Sequence, residues 1–310
     1  MAMLLTAAFM GCRQDPLAED GNAIRFSVES AAIIDMQTKA GAELPTEADF
    51  KSKDIKLFGI RTKDAGTETL FDGGTLLKFD GTDWKYSPLR YWTQSSFYDF
   101  RAVSPAGSDV YGSAAKTGSV TASFGSDKDL MVASNHTVSA YSIVPLTFSH
   151  ACAAVLFLFR NTKDSREIII THFEVNNMYS DGTMSYSWDA TQSKDIITWT
   201  PSEEKDAWLS TDTPLTLSGT YQSIDGWHLV VPQTLGLGNV GNAKLSFSYT
   251  VEGESDTKYA VLSIPDGHNK WEPGKTYKYQ IDIDIQTIDL SFTVDSWDTN
   301  VVEGTYTIRR

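Results

Sequence analysis

The sequence predicts an all-β protein built from antiparallel β-sandwiches with few short helices, and three observations predict it. Runs of β-branched and aromatic residues with partial two-residue alternation recur from Ile24 onward. Turn dipeptides separate them at Asp72-Gly73-Gly74, Asp80-Gly81, Asp181-Gly182, Asp225-Gly226 and Asp266-Gly267, where glycine supplies the positive backbone angles of tight reversals. Helical periodicity is confined to short stretches.

In chain order, Ile24-Arg25-Phe26-Ser27-Val28 reads as the first strand, with Ile24, Phe26 and Val28 on one face. Residues 47–51 are the best helix, with Thr46 as its N-cap. Residues 55–60 form the next strand. The densest aromatic cluster follows, Trp84-Lys85-Tyr86-Ser87-Pro88-Leu89-Arg90-Tyr91-Trp92 and then Phe97-Tyr98-Asp99-Phe100-Arg101-Ala102-Val103-Ser104-Pro105. Its alternation sends several rings to one side of a sheet, which makes a sandwich core; an exposed platform for sugars or peptides is the alternative. A Ser-, Gly-, Lys- and Asp-rich stretch over 104–142 precedes one strongly apolar strand expected over 146–159, so a domain boundary is placed near Pro145. The expected organisation is a leader and polar tether over 1–21, one sandwich over 22–145 and a second over 146–310. No internal repeat of short fixed period, no heptad pattern and no low-complexity tract occurs.

Composition narrows the function. Of 310 residues, 41% are hydrophobic and 21% charged, which is a globular rather than a disordered balance. A net charge of −14 repels nucleic acid and anionic lipid surfaces, so membrane attachment is expected through lipid. Only two cysteines occur, too few for a disulfide framework, and Cys152 in Ala151-Cys152-Ala153-Ala154 reads as a small buried hydrophobe. The opening Met1-Ala2-Met3-Leu4-Leu5-Thr6-Ala7-Ala8-Phe9-Met10-Gly11-Cys12 is too short to span a bilayer and ends on a small residue before cysteine, as bacterial lipoprotein leaders do. Cys12 is therefore expected to be lipidated, with Met1 inside a longer leader because no Lys or Arg precedes the run. Each buried CH₂ of an acyl chain contributes roughly 0.8 kcal/mol, so two or three chains would anchor the protein firmly. A first core strand is the other reading of this segment.

No catalytic residue, metal ligand or cofactor is expected. Gly236-Leu237-Gly238-Asn239-Val240-Gly241 matches the dinucleotide fingerprint, but a strand-like alternation follows where a helix N-terminus must meet the pyrophosphate. Gly274-Lys275-Thr276 lacks the first glycine of a P-loop. His136, His150, His172, His228 and His268 are scattered without metal-ligand spacing, and no G-x-S-x-G elbow occurs. Asp282 and Asp284 share one strand face, where a solvated edge explains them more simply than a calcium or glycosidase pair.

The aromatic cluster, a Trp-x-Tyr-x-Pro-x-x-Tyr-Trp run followed by Phe-x-Ala-x-Ser-Pro, resembles the N-terminal domain of the fimbrillin-like proteins of Bacteroidales, the lipoprotein-derived (type V) pilus subunits. Leu146-Thr147-Phe148-Ser149-His150-Ala151, Leu229-Val230-Val231-Pro232-Gln233, Trp271-x-Pro273-Gly274-Lys275-x-Tyr277-x-Tyr279 and Val294-x-x-Trp297 agree with the same family in the same order. The resemblance implies two tandem transthyretin-like sandwiches, export as a lipoprotein, and display at the cell surface on the outer membrane or in a fimbrium. It also implies assembly with other pilus subunits by β-strand addition. A protease would cut behind the first strand, releasing Ile24, Phe26 and Val28 and opening a groove for another subunit's C-terminal segment. At the expected cutting position stands Lys39, followed by Ala40, where the family has arginine; Arg61 or no cleavage are the alternatives. After Trp297, Val301-Val302 and Tyr306-x-Ile308 are strand-like and suit a donor or a lid. The function expected is thus a fimbrial subunit or surface adhesin, not an enzyme. The alternative is a non-polymerising surface lipoprotein that binds carbohydrate or host ligand.

Overall fold

The computed structural model describes residues 21–30, 46–64, 66–139, 141–162, 166–235, 243–264, 269–284, 287–296 and 302–309, with backbone alone at 203–207, 292 and 302–309. Cys12, Lys39, Ala40 and the 236–241 glycine loop lie outside them.

The described chain is almost entirely strand. Its first part holds β1 (Arg25–Ser30), α1 (Glu47–Lys51), β2 (Ile55–Lys63), β3 (Gly66–Phe79), β4 (Trp84–Lys85), β5 (Phe97–Ser104), β6 (Tyr111–Gly112), β7 (Ser119–Ser123), β8 (Met131–Ser139) and β9 (Ile143–His150). There follow β10 (Ala153–Asn161), β11 (Ile168–Asp189), β12 (Lys194–Thr211), β13 (Leu215–Thr216), β14 (Gln222–Val230), β15 (Gln233–Thr234) and β16 (Lys244–Val251). The last are β17 (Lys258–Ser263), β18 (Lys270–Trp271), β19 (Lys275–Ile283), β20 (Ile288–Ser296) and β21 (Val302–Arg309). Helix α1 begins as expected at Thr46, whose hydroxyl accepts from the Asp49 amide (3.2 Å) while Asp49 accepts from the Thr46 amide (2.8 Å). This reciprocal cap holds five residues that would not be stable as an isolated helix.

Three large sheets result. The first runs β1-β9-β8-β5-β2-β3-β4, the second β14-β10-β19-β20-β21, and the third β17-β16-β11-β7-β6 with β12 and β13 also paired to β11. Most pairs are antiparallel, as the turn chemistry predicts. Two are parallel, β1 with β9 and β10 with β19, and neither is joined by a hairpin.

Three cores fill the space between the sheets. One, around Ile24, Phe26, Phe71 and Phe100, lies on one face of the first sheet under α1. Another, around Phe157, Phe173, Phe247 and Trp271, lies between the second and third sheets. The third joins them, with Phe58 and Val132 from the first sheet, Leu156 and Trp227 from the second, and Val120 and Met184 from the third. Strand β10 is covered on both faces: Val155, Phe157 and Phe159 enter one core, Ala154 and Leu156 the next. A strand with no solvent face reads as a continuous apolar run.

The single strand expected over 146–159 is corrected here to two strands, β9 and β10, in different sheets. Between them the Ala151 amide donates to the Leu130 carbonyl (2.7 Å), whereas the Cys152 carbonyl accepts from the Gly274 amide (2.9 Å). The backbone changes partners there, and the small side chains of residues 151–154, all 0% exposed, let the layers close over the crossing. Strand β9 straddles Pro145 and stays in the first sheet to His150, while β7 leaves that sheet's sequence neighbourhood to pair with β11.

Candidate functional site: the first strand and its seat

Strand β1 is the terminal strand of the first sheet. On one side it pairs in parallel with β9, from Arg25 opposite Ile143 to Ser30 opposite Phe148. On the other side its lead-in meets the aromatic segment: the Ile24 amide donates to the Arg90 carbonyl (2.8 Å) and the Trp92 amide to the Asn22 carbonyl (2.9 Å). Ala23 bridges Tyr91, and the Tyr86 hydroxyl donates to the Ile24 carbonyl (2.8 Å). Beyond Ile24, no described strand pairs with the outer edge of β1.

Alternation places the side chains as the sequence predicts. Ile24 and Phe26 are buried and Val28 half-buried, while Arg25, Ser27 and Glu29 face solvent. The Phe26 ring sits in a box of aromatics, edge-on to Phe100 (5.3 Å between centroids), Tyr86 (5.8 Å) and Phe71 (6.0 Å). Edge-to-face contacts at these spacings are the favoured arrangement of aromatic quadrupoles. Gly59 on β2 makes room for the box, because a Cβ there would lie 2.8 Å from Phe100 and 3.0 Å from Phe71. The floor is braced by Trp92 against Tyr98 (4.6 Å), whose hydroxyl accepts from the Thr93 amide (2.7 Å).

The cluster singled out in the sequence is thus mainly core: Tyr86, Trp92 and Phe100 are buried and Trp84 packs half-buried against them. Tyr91 and Phe97 are the exposed members. Ile24, Phe26 and Val28 come together with this cluster in one core, a juxtaposition the sequence did not announce. Sequence reasoning missed Asn22, Gly59 and Arg90; a glycine inside the alternating run Ile55-Lys56-Leu57-Phe58-Gly59-Ile60 was the available signal of a close approach. Arg61, an alternative cutting position, lies in β2 with partners on both sides, Glu68 and Tyr98, so a protease would first have to unfold the sheet.

The two carboxylates that share a strand face in the sequence are engaged structurally. Asp282 takes a two-point contact from Arg160 (2.6 and 2.9 Å), whose guanidinium lies 4.3 Å from the centre of the Tyr221 ring. Asp284 caps its own turn by accepting from Thr287. Burial pushes the Cys152 thiol far up, which leaves it inert. Among the described residues no three His, Cys, Asp or Glu side chains gather as a metal site.

His136 occupies the seam between first and third sheets. Its Nδ1 is 3.1 Å from Asp99 and its Nε2 3.6 Å from Asp195 on β12, and its ring lies on Trp188 of β11 (3.9 Å between centroids). Asp99 also accepts from the amide of Thr137, a β-branched residue held at a φ of 58°, and faces Lys116 (3.6 Å). Nearby, Arg101 clasps the carbonyls of Ser113, Ala115 and Gly118. Burial alone pulls His136 down, but the two aspartates outweigh it and hold the imidazolium above the usual histidine range.

Two outcomes follow from this geometry. Phe26→Ala should lower the stability of the first core by about 3–5 kcal/mol, read as a fall in the urea midpoint, whereas Ser27→Ala on the solvent face should leave it unchanged; equal effects would refute the seat described here. For His136, a folded-state pKa above the unfolded one means that its stabilisation is complete below the unfolded value and disappears as pH rises through the folded value. The melting-temperature gap between wild type and His136→Gln should therefore be widest near about pH 5.5 and narrow by about pH 9; a gap that widens with pH would contradict the pairing.

A family model described as fimbrillin-like matches residues 38–297. No curated protein matches the chain. Among solved structures, one from Bacteroides uniformis named for cell adhesion is 13% identical, with 89% of this chain and 98% of that chain covered and a TM-score of 0.48. The tip fimbrial protein Mfa3 of Porphyromonas gingivalis is 11% identical, covering 81% and 96%, with a TM-score of 0.41. A fimbrial assembly protein of Parabacteroides distasonis is 9% identical, covering 85% and 94%, with a TM-score of 0.40. With residues 38–297 of its 310 matched, the chain belongs to the fimbrillin-like family.

Proposed function

We propose that the protein is a fimbrial subunit or fimbrillin-like surface adhesin, exported as a lipoprotein on Cys12 and assembled by strand exchange at β1. The observation that carries the reading is the position of β1. It is a sheet-edge strand whose inward side chains, Ile24 and Phe26, complete an aromatic core that the rest of the first sheet already forms. Removing such a strand leaves a row of unpaired β9 main-chain groups beside vacant apolar pockets, and an incoming strand satisfies both. Lys39-Ala40, the proposed cutting position, follows β1 in sequence and precedes α1, so cleavage there frees β1 without severing the rest of the first sheet. The partners are then other pilus subunits, the outer membrane through the lipid, and surface ligands of a host or another bacterium.

The test of assembly is limited trypsin treatment of concentrated protein. Full-length chain should form ladders that survive mild heating in detergent, and Lys39→Gln should reduce them strongly. Chain that is cut behind β1 yet stays monomeric would favour the non-polymerising ligand-binding lipoprotein. For the anchor, alkyne-palmitate labelling in cells, with the full leader present, should tag wild type and not Cys12→Ala; equal labelling of both would end the claim.

A further inference from the structure

Outside the strands of the first sheet, a cleft of about 280 Å³ opens between β12 and the short β15–β18 ribbon. One wall is a face of β12, where the two-residue period sends Ile197, Trp199 and Pro201 to the same side. Pro232, Thr234, Lys270 and Pro273 form the other. Trp271 lines the cleft too but is only 1% exposed, so Trp199 is the ring within a ligand's reach. The volume lies just below the roughly 300–1,000 Å³ of drug-sized sites, which suits one or two small rings rather than a folded partner.

The walls are fixed before any ligand arrives. Gln233, 5% exposed, accepts from the Tyr179 amide (3.0 Å) and donates to the Tyr179 carbonyl (2.9 Å), which ties β15 to β11. Gly182 of β11, opposite Pro201, lets the Val231 segment close in: a Cβ there would lie 3.0 Å from Val231 and 3.1 Å from the Thr200 carbonyl. The Trp271 indole donates to the Tyr279 hydroxyl (2.9 Å) and the Glu272 amide to the Tyr277 hydroxyl (2.9 Å). Prolines at 201, 232 and 273 stiffen three separate segments of the lining. A site set in this way loses little freedom on binding.

The chemistry of the lining selects the ligand. The Trp199 indole N–H is already given to the Ala151 carbonyl (2.8 Å), so the side chain offers ring surface, whose negative quadrupole attracts polarised C–H groups. Lys270 pairs with Glu272 (2.7 Å), both exposed at the rim, and Thr234 stands opposite Lys270 in the β15–β18 register. The rim thus carries a donor-only ammonium, an acceptor-only carboxylate and a hydroxyl that does both, with no net charge. An anion would meet a cancelled charge on a chain of net −14. A neutral ring with an apolar C–H face and adjacent hydroxyls matches wall and rim together. We propose that this cleft binds a neutral pyranose sugar, its C–H face on Trp199 and two neighbouring hydroxyls on the Lys270 and Glu272 pair. A proline-rich peptide fits less well, because the grooves that dock such peptides are lined by aromatics and one accessible ring is present here. The site gives the adhesin reading a ligand class and does not rest on strand exchange, since all its residues lie outside the first sheet.

The test is saturation-transfer NMR on full-length chain never treated with protease. The probes are the methyl pyranosides of glucose, galactose, mannose and N-acetylglucosamine, each at about 10 mM, with sialyllactose and a polyproline peptide for comparison. Transfer is expected to at least one neutral pyranoside, strongest on the C–H protons of a single ring face. Lys270→Ala on the exposed rim should weaken that sugar about three- to tenfold, and Trp199→Ala more than about tenfold. Lys85→Ala, which removes a comparable surface pair with Asp80, should leave its affinity unchanged. Melting temperatures report whether the variants fold; should Trp199→Ala fail to, Lys270→Ala decides. Transfer to no pyranoside, or equal affinity in wild type and Lys270→Ala, would overturn the site. Tighter binding of sialyllactose or polyproline than of any neutral sugar would overturn the ligand class. None of these outcomes bears on the trypsin ladders, which test strand exchange separately.

Discussion

The double burial of β10 organises the molecule. Successive side chains of this strand enter different cores, so the second and third sheets close on one of its faces and the three-sheet junction closes on the other. That arrangement is available only because the chain reaches β10 through Ala151, Cys152, Ala153 and Ala154, which are small enough to pass between layers packed at interior density. A larger residue at this crossing would hold the sheets apart and open both cores at once. The parallel pairing of β10 with β19 follows, since a strand that arrives from another sheet has no hairpin to dictate an antiparallel neighbour.

The opposite condition holds at β1. Among the described residues it has one strand neighbour, one packed face and one solvent face, and its outer edge is met there by the short lead-in contacts at Arg90, Tyr91 and Trp92. What keeps it in place is chiefly the burial of Ile24 and Phe26 in pockets whose walls belong to β2, β3, β5 and the aromatic segment. Those walls are braced among themselves by Trp92 on Tyr98 and by the Phe71 and Phe100 contact, and they are tied to the lead-in of β1 through Tyr86, Arg90 and Trp92. Depth of side-chain burial combined with a sparse main-chain ladder is the combination that strand replacement exploits.

Polar groups mark the seams between the sheets. His136, Asp99 and Asp195 join the first sheet to the β11 and β12 hairpin, Arg101 reaches the carbonyls of the segment between β6 and β7, and Arg160 with Asp282 ties β10 to β19. Such contacts give orientation to surfaces that apolar packing alone would let slide, at the cost of desolvating charge.

The sequence by itself determined the all-β class, the capped helix at Thr46, the inward set Ile24, Phe26 and Val28, and the membership of the aromatic cluster in a core. These properties are local: a two-residue period names the faces of a strand, and a cap is completed within four residues. Only the tertiary structure decided which strands are neighbours. It split the apolar run after His150 into β9 and β10, made the β1 and β9 contact parallel, gave Asp282 its partner in Arg160, and set His136 between two aspartates distant in sequence. None of these was legible, because a strand's side chains encode which face is buried but not whose main chain its amides will meet; that pairing is settled when the sheets stack and unpaired backbone groups must all find partners at the same time.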